Sequence, residues 1–137
     1  MTSERDDLTE TVRDLMPFAR TLGITVIRYG PDEVRARLGW LATLCTAGEI
    51  FHGGAVMALA DTAGGACAFL NLPDGAQGTT TIESKTNFLR AARDGFIEAS
   101  SRPLHVGRTL IVVETDVRDD GDRRVARVTQ SQLVVAR

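Results

Sequence analysis

The chain has 137 residues, 43% of them hydrophobic, which fits one domain, spanning residues 1–137, with a core of its own. Sixteen basic and eighteen acidic residues leave a net charge of −2, which gives no reason to expect nucleic acid or an anionic membrane as partner. The N-terminal MTSERDDLTETVRDLM is charged and lacks the apolar stretch of a signal peptide, so the expected compartment is the cytoplasm.

In chain order, Ser3 is placed to cap a first helix with Leu8, Val12 and Leu15 at helical spacing, and Pro17 marks its end. Residues 18–22 add a short helical turn before Gly23, so residues 1–22 form an N-terminal helical segment. ITVIRYG then reads as a strand, Gly30-Pro31-Asp32 as a turn, and EVRARLGW as the partner strand. In that partner Val34, Ala36, Leu38 and Trp40 alternate with Arg35, Arg37 and Gly39. Residues 41–50 are a loop of small and polar residues.

Phe51-His52-Gly53-Gly54 leads into the longest apolar run of the chain, which continues to Leu70 with one charged residue, Asp61. The run is too short to span a bilayer and too long for an ordinary strand, so it is expected to be a helix. Val56, Leu59, Ala60, Ala63, Cys67 and Leu70 form one apolar stripe; Gly54, Ala58, Asp61, Gly65 and Ala68 form an opposite face of small residues. A helix apolar nearly all round is expected to be buried, with Asp61 on the face where a ligand or another backbone comes close. NLPDGAQG is a loop, and four strands follow: TTTIESKTNFL, GFIEASSRPLH, TLIVVETDV and RRVARVTQSQLVV. Ile82, Ser84, Thr86 and Phe88 are expected on one face of the first of these. Pro103 suggests an edge or a bulge in the second, and Asp119 to Asp122 form the last turn. The order argues for an α+β fold, an antiparallel sheet packed around one long helix.

Asp61 has two readings: a structural one, as the N-cap of a shorter helix starting at Thr62 or a satisfied structural acid, and a functional one, because a buried carboxylate is costly unless used or paired. No Lys or Arg lies between Trp40 and Lys85 to pair with it. His52-Gly53-Gly54 sets backbone N–H groups at the positive end of the helix dipole, a site for a phosphate, a carboxylate or a developing oxyanion. Cys45 and Cys67 lack metal-site spacing and read as buried thiols in a reducing compartment; His52 and His105 are far apart, so no metal is expected.

HGGAVMALAD, TNFLRAARDGFIEA and HVGRTLIVVE, in that order, resemble the hotdog fold and within it the phenylacetate-degradation (PaaI-like) acyl-CoA thioesterases. The resemblance implies a curved antiparallel β-sheet wrapped around one long central α-helix, and a dimer whose two sheets join. It also implies acyl-CoA hydrolysis at the dimer interface without metal or other cofactor. On it, Asp61 is the nucleophile or general base, the Gly53 N–H polarises the thioester carbonyl, and His52 is the adjacent pocket histidine. Thr81 helps place the attacking water, while Arg90 and the Gly107-Arg108 pair contact the CoA nucleotide. Thr46 stands where relatives often carry an Asn that binds the thioester oxygen.

Two other functions share these features: a non-catalytic acyl-CoA binder, and an enoyl-CoA hydratase or dehydratase, which would want a His soon after Asp61. The acyl group is aryl or short to medium aliphatic. The helix itself argues for a homo-oligomer, dimer or tetramer, with a shared site. Eight residues at 1.5 Å each put Gly53 about 12 Å from Asp61, too far for both to act on one carbon.

Overall fold

The computed structural model describes residues 3–136. Helix α1 (Glu4–Leu15) starts at Ser3, whose hydroxyl accepts from the Asp6 N–H while the Asp6 carboxylate accepts from the Ser3 N–H. That reciprocal pair satisfies two of the donors a helix start leaves free. α1 ends at Leu15 with Met16 as its C-cap, just before Pro17 as expected, and Pro17 is also the first residue of α2 (Pro17–Leu22), where its missing N–H costs no helical bond. Gly23 closes α2 in the left-handed region at φ 77°, a conformation that favours glycine.

Strands β1 (Thr25–Tyr29) and β2 (Val34–Gly39) form the expected antiparallel hairpin. The loop after it holds a two-residue ladder, β3 (Cys45–Thr46) with β4 (Ile50–Phe51), whose turn places Glu49 at φ 61°. Helix α3 (Gly53–Phe69) follows at once, and then β5 (Ala76–Phe88), β6 (Phe96–Val106), β7 (Leu110–Asp119) and β8 (Arg124–Ala136). Among the described residues six strands make one antiparallel sheet in the order β1-β2-β6-β7-β8-β5. Helix α3 packs on every strand of it from β2 to β5, so the sheet curls around the helix. Leu59, Ala60, Ala63 and Cys67 on the helix meet Leu38, Ile97, Ile111, Val113 and Val128 from the sheet, all buried. No helix among the described residues is long and apolar enough to cross a membrane.

Three expectations are corrected or narrowed. First, the face of α3 carrying Gly54 and Asp61 is exposed in the single chain, because the sheet covers only the other side; Asp61 is not buried. Second, of the edge or bulge expected at Pro103, the bulge is what is found: β6 is an interior strand, and Pro103 lies beyond Ser101, the last residue paired to β2, at a register shift against β7, so it interrupts no continuous ladder. Third, the alternation expected through Ile82, Ser84, Thr86 and Phe88 is interrupted: the register of β5 on β8 shifts between Thr81 and Glu83, which makes Ile82 an extra residue in the strand, 58% exposed. Beyond the bulge the alternation is reversed, and Thr81 takes the helix-facing place. Strict two-residue alternation cannot put both Ser84 and Thr81 toward α3; the bulge does.

The β1–β2 turn is pinned by Glu33, whose side chain is buried. Its carboxylate meets Arg35 Nε at 3.1 Å, Arg28 Nε at 3.6 Å and Arg102, and accepts from the Ser100 hydroxyl at 2.8 Å. Burial opposes its ionisation, but Ser100, Arg35 and Arg102 together outweigh that and hold the carboxyl below its ordinary range. Such a group contributes stability above its unfolded pKa and loses the contribution as pH falls through the lower folded value. Urea unfolding of wild type and Glu33→Gln should therefore differ most near neutral pH. The gap should close in acid; a gap constant with pH would contradict the role given to this carboxylate.

Candidate active site

Asp61 sits about two turns into α3, which rules out the reading of it as a helix cap. Its Oδ1 accepts two hydrogen bonds, from Gln130 Nε2 at 3.1 Å and from the Thr81 hydroxyl at 3.3 Å. The relay continues: Gln132 Nε2 donates to Thr81 Oγ1 at 2.6 Å, and the Thr79 hydroxyl donates to Gln132 Oε1 at 3.0 Å. Among the described residues Asp61 has no ion pair, in line with the lack of nearby basic sequence.

Gln130 and Gln132, both buried, were missed by sequence reasoning. The signal was there: two amides, two residues apart, on the side of β8 that Ala126 and Val128 devote to the core. Gln130 fits only because residue 64 is glycine, since a Cβ there would lie 2.0 Å from Gln130 Oε1.

The acid opens into a cavity of about 470 Å³ between α3, β5 and the N-terminal helices. Leu15, Met16, Phe18, Tyr29 and Phe69 supply apolar walls, and Thr79, Thr81 and Gln132 line the side toward the sheet. Burial pushes the Tyr29 hydroxyl above its ordinary range. The N-terminal segment is thus part of the site region.

At the other end of α3, His52 is the N-cap: its Nδ1 accepts from the Gly54 N–H at 2.8 Å. The helix start is therefore less open than the sequence suggested. Ala55 and Val56 donate to the His52 carbonyl, Gly54 to the imidazole, and only the Gly53 N–H is left without a partner among the described residues. A neutral His52 that accepts at Nδ1 carries its proton on Nε2. His52 also lines a cleft of about 200 Å³ with Gly54, Ala58 and the half-buried Cys45. The other thiol, Cys67, is buried, and burial followed by the charge of Asp32 pushes it up to about 11.

Gly53 lines a third cavity, of about 370 Å³, with Phe51, Phe88, Leu89 and Arg90. Gly107 and Arg108 lie in the turn between β6 and β7, where the Gly107 N–H donates to Leu110 O at 2.8 Å. Neither Arg90 nor Arg108 has an acidic partner among the described residues, whereas most arginines of the chain are ion-paired. Thr46 is exposed on the β3–β4 ladder and lines none of these cavities. Within one chain, then, Asp61 and Thr81 come together, and Gly53 and Arg90 come together. The two groups do not meet: their cavities share no residue.

Comparison with known proteins bears on what this arrangement is. Residues 48–126, from the β3–β4 turn to the start of β8, match the family model of the Thioesterase superfamily. The chain belongs to the Thioesterase superfamily. A proofreading thioesterase, EntH of Cronobacter turicensis, is 32% identical over 114 residues, covering 83% of this chain and 82% of that one. A Mycobacterium tuberculosis protein named as an esterase is 31% identical over 114 residues, covering 82% and 81%. Its solved structure superposes with a TM-score of 0.85 at 28% identity, over 89% of this chain and 98% of that one. A Streptococcus pneumoniae thioesterase-fold protein solved with coenzyme A shares the fold at TM-score 0.81 and 20% identity, over 92% and 98%. The hotdog fold and the thioester-hydrolase class implied by the sequence motifs both stand.

In this superfamily member the cap at His52 gives a test separable from chemistry. His52→Ala should destabilise the fold by about 1 kcal/mol, the usual cost of a lost N-cap, and His52→Asn should recover most of it. Chemical denaturation of the three proteins measures this. Equal losses in Ala and Asn variants would show that the imidazole contributes through something other than the cap.

Proposed function

We propose that the protein hydrolyses the thioester of an aryl- or short- to medium-chain acyl-CoA, and that each active site is shared between two chains. The reading rests above all on Asp61, a carboxylate fixed through one oxygen at the mouth of an apolar cavity. A cavity of about 470 Å³ walled by three aromatic rings suits an aryl or modest aliphatic acyl group. Asp61 takes a proton from water, which attacks the carbonyl, and returns it to the sulfur as the C–S bond breaks, so that CoA leaves as its thiol; or Asp61 attacks the carbonyl itself, CoA leaves as a thiolate that solvent protonates, and water then hydrolyses the acyl–Asp61 anhydride. Thr81 helps hold the water, and a Gly53 N–H, at the positive end of α3, stabilises the oxyanion.

Asp61 and Gly53 of one helix are about 12 Å apart, while reacting groups must approach to about 3–3.5 Å. A second chain related by a two-fold axis would bring its own Gly53 to this Asp61, and the reverse. The edge strand β5 supports that arrangement: thirteen residues long, it pairs among the described residues only with β8 and leaves Ile82 and Phe88 exposed. An uncovered edge of that length invites strand pairing, which would continue one sheet into the next. The exposed Gly54–Asp61 face of α3 would be covered by the same approach. The unpaired Arg90 and Arg108 suit the phosphates of CoA, and the coenzyme A bound by the S. pneumoniae protein of the same fold supports that ligand class. Thr46 can donate one hydrogen bond to the thioester oxygen in place of an amide.

Release of free thiol from a panel of acyl-CoAs tests the reading, with purified Asp61→Asn alongside. Wild type should liberate CoA, and Asp61→Asn should lose at least about 10²–10⁴-fold while remaining folded. An Asp61→Asn enzyme within a few-fold of wild type would remove Asp61 from the chemistry. Binding of acyl-CoA without any release would instead mark a non-catalytic binder.

A further inference from the structure

We infer that Gln130 is a positioning residue, which clamps Asp61 through Oδ1 and leaves Oδ2 as the oxygen that takes the proton from water or attacks the thioester. The inference rests on the proposed role of Asp61 and goes beyond it by assigning the reacting atom and the group that selects it. Both hydrogen bonds to the carboxylate converge on Oδ1, one from Thr81 and one from Gln130, and none among the described residues reaches Oδ2. Two donors on one oxygen fix the rotation of the carboxylate and draw charge toward that atom. The other oxygen is left to exchange a proton or form a bond.

Gln130 differs from Thr81 in how it is held. Its side chain is fully buried, and its Oε1 has no hydrogen-bonding partner among the described residues. Leaving a buried acceptor unpaired is costly, so a residue kept in this state needs a compensating use for its other end. That end is the amide donor on Asp61. The alternative orientation, with Oε1 toward the acid, would set two acceptors against each other while Asp61 is ionised. Gly64 completes the device, because any Cβ at that position would occupy the space of Oε1. This explains a glycine in mid-helix that otherwise costs about 1 kcal/mol relative to alanine.

The surroundings isolate this pair electrically. From α1, α2 and β8 no charged side chain lines the cavity, β5 brings only Gly78 and threonines, and β1 brings Tyr29. Among the described residues Asp61 is its one charged group and Tyr29 its one other titratable group. Losing the Gln130 donor should therefore register mainly on Asp61.

The test uses Gln130→Met, which keeps volume and removes the donor, with Asp61→Asn as reference. Gln130→Met should lower kcat about tenfold or more, with KM little changed. Gly64→Ala should act the same way, and should add no loss in a chain already carrying Gln130→Ala, where Oε1 is gone. In ¹⁵N-labelled protein, the Gln130 side-chain amide signals should move between wild type and Asp61→Asn, where a neutral amide replaces the carboxylate they contact. A folded Gln130→Met with wild-type kcat and KM, or Gln130 amide signals unmoved by Asp61→Asn, would overturn the inference. An active Asp61→Asn would instead overturn the reading beneath it, so the two failures are distinct.

Discussion

Everything at this site follows from the stiffness of one helix. α3 holds the Gly53 N–H at its start and Asp61 about 12 Å further along, and a continuous seventeen-residue helix has no hinge with which to bring them together. The sheet wrapped around it fixes its position but cannot shorten it. The acid and the proposed donor therefore open into different cavities of the same chain. On the proposed reading a second helix, antiparallel to the first, turns that spacing from an obstacle into the spacing of two identical sites.

The small residues of α3 serve this geometry from both sides. Toward the sheet, Gly64 admits Gln130 against the helix backbone, and Ala60, Ala63 and Cys67 let the helix sit close to β6 and β7. At the N-terminus the absence of a side chain on Gly53 lets the Phe88 ring lie against it, with a virtual Cβ only 3.1 Å from the ring. On the open face Gly54, Ala58 and Gly65 leave Asp61 standing clear. A helix this rich in glycine is a poor helix former alone, and its stability comes from packing rather than propensity. A larger cavity, about 660 Å³, lies elsewhere, on the charged outer face of the sheet among Arg35, Glu98, Asp116 and Arg127. It touches none of these groups.

Much of this was legible in the sequence because it depends on local periodicity. The apolar run to Leu70, the Gly30-Pro31-Asp32 turn and the alternation of Val34, Ala36 and Leu38 each declare their element, and together they give the fold class. HGG with an acid eight residues after its first glycine marked both ends of the chemistry. What escaped depends on contacts between distant segments. The bulge at Ile82 has no local signature strong enough to reverse the expected faces of β5, yet it decides that Thr81 reaches Asp61. Gln130 lies 69 positions from Asp61 in the chain, and only the strand order, with β8 between β7 and β5, brings them together. The exposure of Asp61 was misread for a related reason: an apolar helix is expected to be covered all round, and a single chain covers only one side of this one.

The central claim, a site completed by two chains, is tested most directly by mixing two dead variants. Asp61→Asn removes the acid. Gly53→Pro removes the free N–H at the first helical position, which tolerates proline, and His52 at φ −61° and ψ 136° already has the backbone a following proline requires. The Phe88 ring must give way by a few tenths of an ångström to admit it. After co-unfolding and refolding in equal amounts, random pairing makes half the dimers mixed, each with one doubly damaged and one intact site. Activity should then return to about a quarter of wild type. No recovery, with native mass spectrometry showing that mixed dimers formed, would confine each site to one chain and contradict the account.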